Sequence, residues 1–490
     1  MTLRIVGWLM LPVLFAAVGC GRQGNAQEQE VEPQDFWLGA YLGEQKIGFS
    51  HFALQPIEHE GQPAVLLESS SFTRVAMMGV ALEQDISLTM LSDLNYAPLK
   101  LTLTMRSGER TLSVVADFFP DRVECQVISQ QNTTKKTVAI PEGVTLIADE
   151  HALLGEREME PGDKIEFYWF NPLNLQVEQA RLEALRREPL TLHGQTYEAL
   201  VVRHTMPMAT SLLWLDERGE VLKVQSLMQL TFLREPKEVA MQLPEEVAQR
   251  VDIARLTAVH PDKPIPNPRQ CRRLKLRVRG LENLDQVPSD EWQTLTPGEE
   301  GEPALLTITA REYGPEEATD LPLKGPELEQ WLKPGPYVEA DHPDIKAQVQ
   351  EIIGEETNAY RVATAIQRWV HDRVQWQMNI GIFRSAVDIL HDPAGVCRDA
   401  AVLYTALARA AGLPTRICAG LVYTQGAFFG HAWAESYLGR GWVPFDPTLS
   451  SEFVDATHLK LAQGEYTCLL TVLKALGTLE VEIVEMQERK

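Results

Sequence analysis

Residues 395–414 read GVCRDAAVLYTALARAAGLP. Val402, Leu403, Ala406, Leu407 and Ala410 recur at helical spacing, and Gly412 with Pro414 closes the run, so the stretch predicts an amphipathic helix. Cys397 stands at its mouth. A cysteine there is either a small apolar filler or a thiol whose acidity its position sets. An ordinary thiol, of pKa about 8.5, is only a few per cent thiolate at neutral pH. The unpaired N–H groups and positive dipole end of a helix N-terminus stabilise the anion. A neighbouring imidazolium lowers the pKa further, to about 3.5–7.5 overall. Gly395 lets the chain turn sharply into that position. The catalytic reading therefore requires a histidine.

Residues 431–447, HAWAESYLGRGWVPFDP, offer one. Two strand-like runs flank LGRG, which reads as a tight hairpin with Gly439 at the first central position of a type II′ turn. With Gly439 and Arg440 as the loop, Leu438 pairs with Gly441, Trp433 faces Asp446 and His431 faces Thr448. His431 and Asp446 are then diagonal neighbours on one face. An aspartate beside an imidazole fixes its tautomer and stabilises the imidazolium. Cys397, His431 and Asp446 make a complete nucleophilic set. Each residue alone has an ordinary reading: an inert core thiol, a packed histidine, an Asp-Pro turn. Trp433 and Glu435 share the His431 face, as groove wall or packing. Cys418, among apolar neighbours on a strand, reads as core, and His458 in DATH as structural.

The segments GVCRDAAVLYTALARAAGLPTRICAGLVY, GHAWAESYLGRGWVPFDPTL and DATHLKL together resemble the transglutaminase-like superfamily, which shares the papain-type cysteine fold. The resemblance runs from about Pro343 to Leu461. It implies that Cys397 is the nucleophile, His431 the general base and then acid, and Asp446 the residue orienting it. It further implies attack on a peptide or carboxamide carbonyl, a thioester, and transfer to water or an amine. Val396 stands where many relatives carry an acidic residue; Asp399 matches the acidic position two after the cysteine. The Cys397 backbone N–H, at a helix end, is the expected oxyanion donor, with Gln375 or Trp376 as candidates for the second. No cofactor is implied, no metal ligand is assigned, and no EF-hand-like loop is present. The alternative function is a non-catalytic binding or assembly module of this fold at the cell envelope.

The 490-residue chain is long enough for two or three domains, and 44% apolar residues can fill sizeable cores. A net charge of −23 argues against nucleic acid, which needs a basic face. The six cysteines show no CxxC spacing, which argues against a structural zinc site. At the N-terminus, Arg4 precedes an apolar stretch from Ile5 to Val18, too short to span a bilayer comfortably but suited to a secretory leader. Its ending, AAVGC, resembles a bacterial lipobox, with Ala17 where leucine is usual and Cys20 as the lipidated residue. The expectation is an exported, membrane-anchored lipoprotein with a peptide or protein substrate. Gly21, rather than an aspartate, implies the outer membrane in a two-membrane host.

From Asp35 to about Leu230, runs such as KIGFSHFAL, LTLTM, TLSVVADFF and LVVRHT alternate with turn signals. These predict a mainly antiparallel sheet domain. ARLEALRRE, residues 180–188, is ambiguous and fits a short helix as well. HPDKPIPNP, residues 260–268, is too rich in proline for an element interior and marks a boundary. LKLRVRGLE and ALLTITARE then form a small β module or an extension of the first domain. Residues 345–370 predict two helices, followed by the Cys397 helix and then by strands, TCLLTVLK and TLEVEIVEM among them. The fold class is α+β: a mainly antiparallel β region, then a C-terminal transglutaminase-like α+β domain. The expected organisation is a leader over 1–19, a polar tether over 20–34, a β-rich domain over 35–256, the small module over 257–335 and the catalytic domain over 336–490.

Overall fold

The computed structural model describes residues 31–149, 159–207, 209–226, 230–244, 251–281, 284–299, 302–475 and 478–489. The predicted leader, the lipidation residue Cys20 and most of the tether lie outside the described residues. The chain divides into two compact units, one up to Val251 and one from Asp252 onward.

The first unit is built on a single antiparallel sheet of fourteen strands among the described residues, from β1 (Gln34–Leu42) to β14 (Leu230–Glu235). Strands run outward in sequence order from β1 to one edge at β8 (Thr133–Ala139). They resume at the other edge, β9 (Lys164–Asn171), and return to β14, which pairs with β1. Alternation dictates the burial: Leu101, Leu103 and Met105 in one strand and Leu112, Val114 and Ala116 in the next are buried, and the residues between them are less so. The tentative helix over 180–188 is instead part of a strand, β10 (Gln176–Leu192), which pairs with β9 and with residues 195–205. Ala180, Leu182 and Ala184 are buried at period two, and partners on both sides satisfy the backbone. Tertiary pairing overrides the helix propensity of Ala, Leu, Glu and Arg.

In the second unit, β15 (Cys271–Arg279), β16 (Gln293–Thr296) and β17 (Ala304–Thr309) form a sheet completed by β24 (Glu480–Glu488), paired with β15. The 257–335 stretch and the C-terminal end of the chain thus share one sheet. Helices α1 (Pro343–Ile353), α2 (Ala359–Arg373) and α3 (Ala386–His391) surround α4 (Cys397–Ala410), which is buried along nearly its whole length. Helix α4 ends in a Schellman motif: the Leu413 N–H donates to Ala408 and the Gly412 N–H to Arg409, with Gly412 at a φ of 82°.

Helix α4 packs on an antiparallel sheet ordered β22 (Trp442–Phe445), β21 (Ala427–Tyr437), β20 (Thr415–Thr424), β23 (His458–Gly464). TCLLTVLK is not a strand. It lies in α5 (Cys468–Ala475), where buried Cys468, Leu469, Val472 and Ala475 form a helical stripe against β20 and β23. A short continuous apolar run carries no period that separates buried helix from buried strand.

Candidate active site

Cys397 is the first residue of α4, and its surroundings fix the chain's approach to it. The N-cap residue Val396 is extended, and Asp399 reaches back to accept the Val396 N–H at 2.9 Å. That is the return half of a capping box. Gly395 leaves room for this carboxylate: a Cβ there would stand 2.7 Å from the Cβ of Asp399. The same glycine pairs with Trp376 where β18 (Gln375–Trp376) runs parallel to β19 (Ala394–Gly395). The Gln377 N–H donates to the Gly395 carbonyl at 3.0 Å. Gln375 is exposed and Trp376 half-buried on the strand that flanks the entry to Cys397.

Arg398 is buried beside them; it donates to the Ile382 carbonyl at 2.8 Å and faces Asp399 at 3.5 Å. Burial opposes its charge, and Asp399, Tyr466 and Cys397 support it.

The hairpin supplies the histidine and the aspartate. Strand β21 pairs with β22 in the register Ala434–Phe445, Glu435–Pro444, Ser436–Val443 and Tyr437–Trp442, the one expected from a Gly439–Arg440 loop. Gly439 has a φ of 100°, and the Leu438 N–H donates to Gly441 across the turn. Asp446 follows the last paired residue. Its Oδ1 accepts the Thr448 N–H at 2.8 Å and the Thr448 hydroxyl at 2.7 Å, a local Asx turn in Asp-Pro-Thr. Gln367 on α2 donates to the Asp446 carbonyl at 3.0 Å and ties the loop to the helical layer.

Asp446 Oδ2 receives two imidazoles. Nε2 of His431 lies 2.8 Å from it and Nε2 of His458 lies 3.1 Å from it. Nδ1 of His431 is buried without a hydrogen-bond partner among the described residues, and the Cys397 thiol acts on the ring as an electrostatic neighbour. Burial alone would push His431 down, but Asp446 and then Cys397 hold its pKa up at about 9. Burial would raise Asp446, yet the two histidines keep its carboxyl far below the carboxylate range. Cys397, His431 and Asp446 are all fully buried, at 0% exposure.

His458 is the residue whose part the sequence reading missed. Its motif was visible; its bond to Asp446 depends on β23 lying beside β20, where Val422 pairs with His458. No local pattern encodes that. His431, Asp446 and His458 bring three potential ligand atoms within 4.8 Å of one another. A cation there would have to displace any proton through which either ring bonds Asp446.

Neither Trp433 nor Glu435 lines an open groove. Trp433 is buried and stacks on His431 with centroids 6.0 Å apart. Glu435 is buried between Arg416, at 2.7 Å, and Lys460, at 2.6 Å. Both hold the strand in place, since a buried carboxylate persists only when paired. Cys418 is buried, and burial raises its pKa well above the ordinary thiol value.

Residues 346–447 match the transglutaminase-like superfamily, and a C-terminal transglutaminase-like domain is present. An uncharacterized protein of Mycobacterium leprae is 29% identical over 118 residues, covering 22% of this chain and 42% of that protein. One from Haemophilus influenzae is 28% identical over 164 residues, covering 28% of this chain and 42% of its own length. The chain thus spans about two fifths of the length of these relatives. Among solved structures, a candidate cysteine protease from Cytophaga hutchinsonii is similar at 18% identity, with 45% of this chain and 88% of that one covered and a TM-score of 0.31. A candidate protease from Parabacteroides distasonis is similar at 10% identity, with 75% and 69% covered and a TM-score of 0.19.

Proposed function

We propose that the transglutaminase-like domain of this chain is a cysteine enzyme acting on peptide or carboxamide bonds through a thioester, with Cys397 as nucleophile, His431 as general base and then acid, and Asp446 as the orienting residue. The observation that carries this reading is the buried His431–Asp446 pair, 2.8 Å apart at Nε2 and Oδ2, in the domain whose buried helix α4 opens on Cys397, with Nδ1 of His431 left without a hydrogen-bond partner among the described residues. Nε2 is thereby committed to the carboxylate, and Nδ1 is the nitrogen left to exchange a proton with sulfur.

The chemistry follows from that division. His431 takes the thiol proton and the thiolate attacks the carbonyl carbon. As the tetrahedral species collapses, the C–N bond breaks and the departing amine takes the proton from His431. Water or an amine then attacks the thioester, giving its proton to His431, and the thiolate leaves and recovers it. The Cys397 N–H at the start of α4 is the first oxyanion donor in this scheme, and Gln375 or Trp376 the second. The test is mass spectrometry of the protein incubated with peptides and a primary amine. Cleavage, deamidation or conjugation that vanishes in Cys397→Ala supports the proposal; unchanged peptides contradict it.

The proposal includes export and anchoring through Cys20, which rest on residues 4–20 of the sequence. Cys20→Ala should remain a precursor and lose membrane association. A variant that is processed and membrane-bound like the parent contradicts the anchor.

One observation favours the second reading, a non-catalytic module: the thiol and its partners are wholly buried. Turnover requires the groups over Cys397 to move aside. A module that never opens would protect Cys397 from small alkylating reagents as fully as it protects Cys418.

A further inference from the structure

His458 faces only acceptors. Its Nε2 lies 3.1 Å from the Asp446 carboxylate and its Nδ1 lies 3.0 Å from the Asp455 carbonyl. A neutral imidazole has one N–H, so one of these contacts would set a nitrogen lone pair against an oxygen lone pair. Only the doubly protonated ring satisfies both. Neither contact is exposed, since His458, Asp446 and Asp455 all have 0% exposure.

The charged groups around the ring are few. Asp446, after β22, and Asp455, before β23, are the anions. Asp455 is also held by Arg269 at 2.6 Å. His431 on β21 meets the ring edge-on with centroids 5.6 Å apart, and Cys397 is an electrostatic neighbour of His431. Two residues further along β23, Lys460 is paired with Glu435 and Asp290. Arg398 and Asp399 offset each other beside Cys397.

We propose that His458 is a positioning residue carried as a fixed imidazolium, which shares Asp446 with His431 and keeps the buried cluster neutral in both protonation states of the Cys397–His431 pair. This rests on the roles assigned above to those two residues. With thiol and neutral imidazole, the charges are Asp446 and Asp455 against His458 and Arg269. Moving the proton from sulfur to His431 adds one anion and one cation. The cluster balances before and after the transfer only if His458 is positive. A neutral residue at 458 would leave one uncompensated negative charge in a buried site, where charges act strongly. The pKa directions agree: burial would lower His458, but Asp455 and Asp446 raise it.

The test needs no substrate, so its failure is separable from a failure of the enzymatic proposal. First, full-length protein labelled with 15N-histidine is titrated from pH 6 to 8.5. The ring of His458, identified by its loss in His458→Gln or by its persistence in His431→Gln, should keep both nitrogens protonated throughout. A singly protonated ring at pH 7, or a stoichiometric bound metal on that nitrogen, overturns the proposal. Second, the pH midpoint of iodoacetamide alkylation at Cys397 is measured by peptide mass spectrometry in the parent and in His458→Gln. Glutamine keeps a donor toward Asp446 but no charge. Removing the buried cation that shares Asp446 with His431 should raise the midpoint by roughly one unit, a tenfold slower reaction below it. A slower rate with an unmoved midpoint means that His458 only braces the fold, and the proposal fails. If His458→Gln does not fold, the titration of the parent decides.

Discussion

At the scale of single residues, the site is an exercise in saturating one carboxylate. Asp446 accepts from Thr448 twice and from two imidazoles, and all four donors are buried or locally held. Asp446→Asn puts an amide N–H₂ where only an acceptor fits. It should therefore cost stability, about 3–5 kcal/mol, as well as any activity; a thermal melt of the variant checks this, and an unchanged melting temperature would contradict it. The two titrations set opposite edges to the stable range. Asp446 has a depressed folded pKa, so its contribution is present above its ordinary value of 3.8 and is lost as the pH falls toward the folded value. His431 has a raised one, so its contribution is full below 6.5 and is lost as the pH rises through about 9. Melting temperature should accordingly decline from pH 6.5 to pH 10, and the decline should be smaller in His431→Gln. The contact of His431 with Asp446 and the place of Cys397 at the start of a helix were legible because hairpin register and helix signals are local. The second histidine was not, because its contact depends on a sheet neighbour distant in sequence.

At the scale of elements, two connections do the positioning. The start of α4 is held by Asp399 and by the close fit of Gly395, and the β21–β22 turn is held by Gly439. Gly439→Ala would force a side chain into a left-handed φ and bring its Cβ within 2.0 Å of the Thr319 hydroxyl. Either effect shifts the strand that carries Asp446, so this variant should melt earlier and lose Cys397 reactivity. Unaltered reactivity would mean that the hairpin tolerates the strain without passing it to the site. The turn was readable from Leu-Gly-Arg-Gly, because so few residues suit a tight connection. One other element was left open and one misread, for a common reason. ARLEALRRE has helix-forming residues but lies between two strands, and TCLLTVLK has strand-forming residues but packs as a helix on a sheet. In both, partners far along the chain outweigh local preference.

At the scale of the whole molecule, a unit whose described residues form a fourteen-stranded sheet precedes a unit that carries the candidate site. Alternating strands and glycine turns made the first unit's class readable, whereas its strand order, with β1 joined to β14, depends on pairing that no short window records. The same holds for β24, the last strand, which completes the sheet begun at Cys271. Truncation after residue 477 should therefore expose the edge of β15 and destabilise the second unit, seen as a lower melting temperature; an unaffected unit would contradict that role. The proposed chemistry requires that Cys397 form a covalent acyl intermediate with His431 as its proton partner. Its most direct test is acid-quenched peptide mass spectrometry of the full chain after brief exposure to an activated acyl ester. A thioester should appear on the peptide containing Cys397, be absent in Cys397→Ala and be strongly reduced in His431→Ala. Acylation spread over Cys125, Cys271, Cys418 and Cys468, or equal acylation of Cys397 with and without His431, would contradict it.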